Sequence, residues 1–405
     1  MHLTLQGASA YLAHRVNSEA GSVMSEGADR STDVIIIGGG VVGGAIAYGL
    51  ARRGAKVTVL DGDDGDLRAS RVNFGLVWVQ TKGLGFPPYQ TWTRRSADLW
   101  PGLAADIAET TGMATHLEQK GGVNFCLGDA ELEERRTTIQ RMHNQMAAGA
   151  YEARIVGRRE LEDLLPGVPL GREVTGASYC PQDGACDPLA LLRGLHAGVV
   201  VKGGGIQPGE HVHELKPDGA GFVATTAKAK YRAARIVIAA GHGSVALARS
   251  IGVPATLVPE RGQILVTERL APMALLPASG IRQTRDGTIM IGTTNDSVGF
   301  NTDATAGAAA KMASRAVRIL PALKSACLVR TWAGLRVLTP DKAPLYAQFD
   351  AHPGAFVVNC HSGVTLAAVH WNDIAEAVLQ GTLPEAVAAF HPRRFEGRGH
   401  VSQAA

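Results

Sequence analysis

The sequence predicts an α/β fold in which a discontinuous first domain carries an inserted second domain built on a mostly antiparallel sheet with helices. Three observations predict it. A β-branched run, Asp33–Ile37, passes through a glycine turn at Gly38–Gly43 into an Ala/Leu-rich helix, Ala45–Arg53, and then to a second apolar run, Lys56–Leu60. Short continuous apolar runs suit strands buried on both faces, and the strand–helix–strand order makes the two parallel. Far downstream, Val237-Ile238-Ala239-Ala240-Gly241 again ends a strand on glycine, and Gly363 opens a last helix. Between these segments lie alternating runs of the kind that half-buried antiparallel strands show.

The elements follow in order. Gly54 ends the first helix, Asp61–Ser70 is a Gly- and Asp-rich loop, and Arg71–Gln80 follows it. Helical patterns at 89–111 and 130–149 carry the acid-to-base spacing of exposed faces. Asp183-Gly184 and Asp187-Pro188 are turn signals before a helix at 189–198. Val212–Leu215, Phe222–Thr226 and Tyr231–Ala239 alternate as strands, and Val258–Thr267 and Thr288–Thr293 belong to another, antiparallel sheet. A helix at 305–319 precedes Pro321, and a strand at Ala355–Val358 leads to a helix from Gly363 to Leu379. The expected organisation is a tail at 1–32, cofactor-domain segments at 33–88, 179–255 and 331–391, insert segments at 89–178 and 256–330, and a frayed tail at 392–405. Met24 stands nine residues before Asp33, so either Met24 is the natural start or residues 1–30 are a loose tail.

Composition narrows the class. A net charge of +3 over 405 residues is too small a bias for nucleic acid or an anionic membrane. No apolar run reaches the roughly 18 residues of a spanning helix. Five cysteines at irregular spacing fit neither a disulfide framework nor a metal cluster, which implies reduced thiols and a cytoplasmic protein, including one peripheral to the inner face of the membrane.

Gly38-Gly39-Gly40-Val41-Val42-Gly43 matches G-x-G-x-x-G directly between strand and helix. Gly38 permits the tight turn, Gly40 lets backbone approach a pyrophosphate, and Gly43 lets helix and strand pack closely. Free N–H groups and the helix dipole favour phosphate there. Asp61, ending the second strand, is placed to accept hydrogen bonds from ribose hydroxyls. These features make the first domain Rossmann-like. The motif alone does not separate FAD from NAD.

From Asp33 to about Gln380 the chain resembles the FAD-dependent amine and amino-acid oxidoreductases of the D-amino-acid oxidase superfamily. The resemblance rests on Asp33–Asp61, Tyr179–Pro188, Ile236–Ser244, Val258–Thr267, Asp286–Asn295, Thr331–Pro344 and Asn359–Ala367, in the family's order. It implies a discontinuous GR2-type FAD domain and oxidation of a C–N bond by hydride transfer to flavin N5, followed by imine hydrolysis. The substrate would be a D-amino acid, an N-alkyl amino acid, an opine or hydroxyproline. Cofactor contacts are implied for Gly38, Gly40, Val41, Val42, Gly43, Asp61, Gly62, Ser70, Arg71, Asn73, Phe74, Gly75, Val212, Ala240, Gly241 and Arg336. Ser362, Gly363, Val364 and Thr365 join them at a helix start facing the flavin pyrimidine.

Arg336 falls where relatives hold a substrate carboxylate, a pairing that the planar guanidinium suits. Its bland alternative is an ion pair with Asp341. His361 falls where some relatives place a second substrate-binding residue, able to orient substrate or accept a proton near neutral pH. Trp78, Trp92 and Trp332 either wall an apolar pocket or are core. Met290 stands where sarcosine oxidases carry an oxygen-activating lysine, and no cysteine stands near Trp332–Ala333 to tether the flavin. Non-covalent FAD and a dehydrogenase rather than an oxidase are therefore expected. Electrons would pass to a quinone, a carrier or a partner subunit in a homo- or hetero-oligomer. The finer resemblance of Asn73–Gln80 is to flavin subunits of opine and hydroxyproline dehydrogenases. The competing expectations are a 2-hydroxy-acid or polyol-phosphate dehydrogenase of the same fold, an electron-relay subunit, and an NAD-dependent enzyme.

Overall fold

The computed structural model describes residues 29–62, 68–146 and 151–396. The Met24 start and most of both tails lie outside these. The chain opens with β1 (Asp29–Ile37), α1 (Val41–Arg52) and β2 (Val57–Leu60). β1 starts four residues before the expected Asp33, because Asp29–Thr32 pair with Lys230–Ala233.

β3 (Leu76–Val77) precedes the long helix α2 (Pro87–Thr111). Next come β4 (Gly122–Leu127), α3 (Gly128–Asn144), β5 (Arg154–Gly157), α4 (Arg158–Leu164) and β6 (Val174–Cys180). The three strands form one antiparallel sheet, β4-β6-β5, which sequence patterning did not reveal. β7 (Gly184–Ala185) pairs with β3. α5 (Pro188–Val201) is capped by the Asp187 carboxylate, which accepts from the Leu189 and Ala190 amides.

Then follow β8 (Gly205–Gln207), β9 (Glu214–Asp218), β10 (Gly221–Thr225), β11 (Lys230–Ile238) and the short α6 (Ser244–Ser250). β9 begins at Glu214 rather than Val212. β12 (Val258–Arg269), β13 (Ile281–Gln283), β14 (Thr288–Gly292), α7 (Ala306–Ile319) and β15 (Leu328–Leu338) form the second body. Its sheet runs β13-β14-β12-β15, all antiparallel. Residues 331–338, expected in the cofactor domain, therefore lie in this sheet. α7 packs Met312, Ala316 and Ile319 into one apolar core with Val123 and Phe125 of β4 and Leu265 and Ile291 of this sheet.

β16 (Leu345–Phe349) and β17 (His352–Asn359) return to the first sheet. The last helix does not begin at Gly363. Residues 363–366 form turns, followed by α8 (Ala367–Val369), a π-helical segment at His370–Ile374 and α9 (Ala375–Gln380). Two 3-10 turns, Glu385–Phe390 and Pro392–Phe395, end the described chain. Residues 392–395 are thus not a frayed tail: Arg394 pairs with Asp341 at 2.8 Å.

The first sheet is ordered β16-β17-β11-β1-β2-β8, with the β9–β10 hairpin attached to β11. β17, β11, β1, β2 and β8 are parallel. Their carboxyl ends consequently share one edge, which places Gly38, Asp61, Ala240 and His361 along it. In open parallel sheets that edge is where ligands bind. Val34–Ile36 at the sheet's centre are fully buried, each worth about 1.5–3 kcal/mol of apolar burial. Among the described residues no helix is long and apolar enough to cross a membrane.

Candidate functional site

The glycine turn is packed to backbone contact. A Cβ on Gly43 would lie 1.9 Å from the Gly38 carbonyl oxygen, and one on Gly38 would lie 2.5 Å from that of Ala239. α1 therefore starts hard against the ends of β1 and β11. Its first turn contains no acidic residue and no side-chain cap, so no carboxylate of that turn competes for its amides. The Ser70 hydroxyl accepts the Val41 amide at 2.9 Å, and a Cβ on Gly40 would lie 2.8 Å from the same oxygen. This is a narrow cradle at a positive helix end, walled on one side by the Ser70 hydroxyl, and it fits a pyrophosphate.

Asp61 accepts a 2.7 Å bond from Arg68 through Oδ1, while Oδ2 faces Gly39. The Asp61 and Gly62 carbonyls bind the Glu210 and Gly209 amides, and the His211 ring lies over Gly62. Val212 is a core residue in the cluster around Leu60 and Leu215. Its neighbours His211 and Glu210, rather than its own side chain, meet the end of β2. The Arg71 side chain is exposed.

The 72–75 loop is held on two sides. The Asn73 side chain accepts the Gly75 amide at 2.7 Å, and Trp332 donates its indole N–H to the Val72 carbonyl at 3.3 Å. Gly75 has φ +82°, and a Cβ there would meet the Cys186 carbonyl oxygen at 2.5 Å, so only glycine fits. Phe74 packs with Ile264 and Met290. The 362–366 turn is locked as firmly. The Thr365 hydroxyl accepts the Trp78 amide at 3.1 Å, and its carbonyl accepts from Ser96 and Trp100. Gly363 faces Val42, whose Cγ2 would lie 3.4 Å from a Cβ there. The turn at Ser362–Thr365 thus meets the start of α1, although it is not the regular helix end expected.

Between these loops and β12/β15 lies a cavity of about 570 Å³. Asn73, Phe74, Arg336, His361, Ser362, Val364 and Thr365 line it, joined by Trp78. Trp92 is core, donating to the Tyr346 hydroxyl at 2.9 Å, and Trp332 packs at the rear of the loop. Gly241 sits behind Arg336: the neighbouring His242 ring contacts the Arg336 carbonyl at 3.1 Å.

Arg336 is paired, but not with Asp341. Its Nη1 donates to Glu260 Oε1 at 2.9 Å, directly across the β12–β15 register, while Lys342 reaches Glu260 Oε2 at 3.3 Å. A Cβ on Gly262 would touch the guanidinium at 2.7 Å, so that glycine makes room for it. Sequence reasoning missed Glu260, although it lies inside the Val258–Thr267 segment; only the strand register reveals the pair. It also missed Lys82 and Tyr89, both lining the cavity. Lys82 projects from an aperiodic loop, where no pattern marks it.

The electrostatics follow from burial and crowding of cations. Burial, then Arg336, pushes the Lys82 ammonium down to about 8. Burial, then Lys82, Arg336 and Lys342, holds His361 well below the usual histidine range, so it is a neutral imidazole at neutral pH. The His361 Nδ1 lies 3.3 Å from the Ser362 hydroxyl, which in turn contacts the Tyr89 hydroxyl at 2.8 Å. The site can therefore hold anionic groups beside a neutral hydrogen-bonding ring.

Comparison with known proteins agrees with this architecture. The family model described as FAD dependent oxidoreductase matches residues 33–375. An opine oxidase subunit from Agrobacterium tumefaciens (strain Ach5) is 40% identical over 372 residues, which is 92% of this chain and 99% of that protein. The crystal structure of glycine oxidase from Bacillus cereus ATCC 14579 superposes with a TM-score of 0.75 at 25% identity, covering 86% of this chain and 95% of that one. That of L-proline dehydrogenase from P. horikoshii has the same fold, with a TM-score of 0.78 at 21% identity over 93% of this chain and 100% of that one.

Proposed function

The chain belongs to the FAD-dependent oxidoreductase family, and on that premise we propose that it oxidises the C–N bond of a small amino acid or N-substituted amino acid whose carboxylate Arg336 holds. It is an FAD-binding oxidoreductase of the kind that acts on amino acids or amines. The observation that carries the finer reading is the cavity itself: cationic Lys82, Arg336 and Lys342 surround neutral His361 at the carboxyl edge of the parallel sheet.

FAD, when bound, supplies the hydride acceptor. The cradle at Gly38–Gly43 with Ser70 would hold its phosphates, Asp61 a ribose, and the 72–75 and 362–365 loops the flavin end. Positioning and charge are the chain's own contribution. Arg336 grips a carboxylate bidentately. His361, kept uncharged by its burial and its cationic neighbours, accepts a hydrogen bond from the amine without repelling it.

Two observations support an opine-type substrate and a partner chain: the relatives at 40% and 39% identity are both named as subunits of opine oxidases, and the cavity is rich in cations. The dehydrogenase reading rests on the resemblance that puts Met290 where sarcosine oxidases carry a lysine. A hydroxy acid is less well served, since its hydroxyl proton needs a base and His361 is a poor one here. The test is an anaerobic screen of D-, L-, N-alkyl and N-carboxyalkyl amino acids by flavin bleaching. Bleaching by carboxylated amines supports the proposal, and bleaching only by 2-hydroxy acids or polyol phosphates overturns it.

A further inference from the structure

The cavity holds more positive charge than one carboxylate needs. Lys82, Arg336 and Lys342 are cationic, Glu260 is the carboxylate between two of them, and the Asp341 carboxylate is taken by Arg394. Counting these lining groups alone, two positive charges stay in excess, while the buried Asp183 carboxylate acts on Lys82 from behind its loop. The cations are also not equivalent. Glu260 pins Arg336 and Lys342 together, whereas no hydrogen bond or ion pair holds the Lys82 ammonium among the described residues.

Lys82 is nonetheless placed with care. The Asp183 carboxylate accepts the amides of Val79 and Gln80 and the Gln80 side chain at 2.7 Å, and the Tyr151 hydroxyl accepts the Thr81 amide at 3.2 Å. A Cβ on Gly83 would lie 2.3 Å from the Gln90 amide nitrogen, so the loop is pressed onto α2. Thr81 adopts φ +61°, a left-handed conformation costly for a β-branched residue. A half-buried, unpaired ammonium on a strained and multiply braced loop is an unusual feature for a residue without a ligand.

We propose that Lys82 is the specificity residue for a second carboxylate, so that the site takes a secondary amine flanked by two carboxylates, one on Arg336 and one on Lys82. The proposal rests on the cavity being the amine site. A neutral secondary amine with two carboxylates carries two negative charges, which matches the excess.

The test uses the flavin-loaded protein and two inert ethers, diglycolate and ethoxyacetate, which differ by one carboxylate. Calorimetry should show that the wild type prefers diglycolate and that Lys82→Met shrinks the preference by about 10–100-fold, the range of a charge-assisted hydrogen bond. Lys82→Arg, which keeps the charge and guards against a misfolded variant, should restore most of it. Equal weakening of both ethers by Lys82→Met, or no change in the preference, overturns the assignment. The underlying reading is tested separately, by bleaching of wild-type flavin with N-(1-carboxyethyl)alanine. If that amine and all others fail while diglycolate still depends on Lys82, the amine chemistry is wrong and the diacid anchor stands.

Discussion

Arg336 and Lys82 approach the cavity from different elements and are held differently, so their loss should be felt differently. Arg336 is fixed by Glu260 and has room only because position 262 is glycine. Arg336→Ala should raise KM for carboxylated amines by about 10–100-fold, through a lost charge-assisted pair. Arg336→Lys should recover only part of that, because a point charge cannot reproduce the planar fork. Steady-state kinetics with an artificial acceptor measures both. Lys82 adds a pH signature. Its ammonium titrates near 8 in the free site, so it is charged below that pH and neutral above it. Affinity for a diacid should therefore fall as pH rises beyond about 8, and the fall should vanish in Lys82→Arg, since arginine stays protonated. His361 would not produce this profile: it is already neutral throughout that range.

At the level of elements, the glycine turn and the Thr81–Gly85 loop are rigid in ways that single substitutions can break. Gly43→Ala drives a methyl to 1.9 Å from the Gly38 carbonyl oxygen. The variant should purify without yellow colour and melt at lower temperature than wild type, with overpacking costing about 1–3 kcal/mol. Asp183→Asn sets an amide donor against the Gln80 amide donor at a fully buried position. It should cost about 1–3 kcal/mol in denaturant unfolding and loosen Lys82 without touching the cavity. The difference between what could and could not be foreseen lies here too. β1, α1, β2, the end of β11, β12, β14 and α7 were legible because their apolar spacing is local. β6, Val-Thr-Gly-Ala-Ser-Tyr-Cys, is small and mixed, and it becomes a strand only through its two neighbours. The π-helical segment reads as ordinary helix in sequence. It arises where α1 presses on it: a Cβ on Gly49 would lie 2.0 Å from the Trp371 carbonyl oxygen, and Arg53 donates to the Trp371 and Asn372 carbonyls. Arg336 was legible by resemblance, but its Glu260 partner was not, since 76 residues separate them.

The whole molecule is two bodies crossed repeatedly by one chain, with the cavity where they meet. Two cysteines adjoin the loops that would hold the flavin, Cys186 against Gly75 and Cys360 before the 362–365 turn. Both are buried, and burial pushes each up to about 12, which keeps them as unreactive thiols. Acid precipitation should therefore release all flavin to the supernatant, and added FAD should raise Tm by mass action, by about 2.7 kcal/mol of stability at a hundredfold excess over Kd. Retention of colour in the pellet would contradict non-covalent binding. The central strand has a further consequence, in the time domain of synthesis. β1 meets the nearby β2, yet its other edge pairs with Lys230–Ile238, some 200 residues later. At roughly 5–20 residues per second, that apolar edge waits about 10–40 s for its partner. β17 and the 362–365 turn emerge later still. One side of Val34–Ile37 therefore stays unpaired through that interval, and the flavin site stays incomplete until residues 362–365 have emerged.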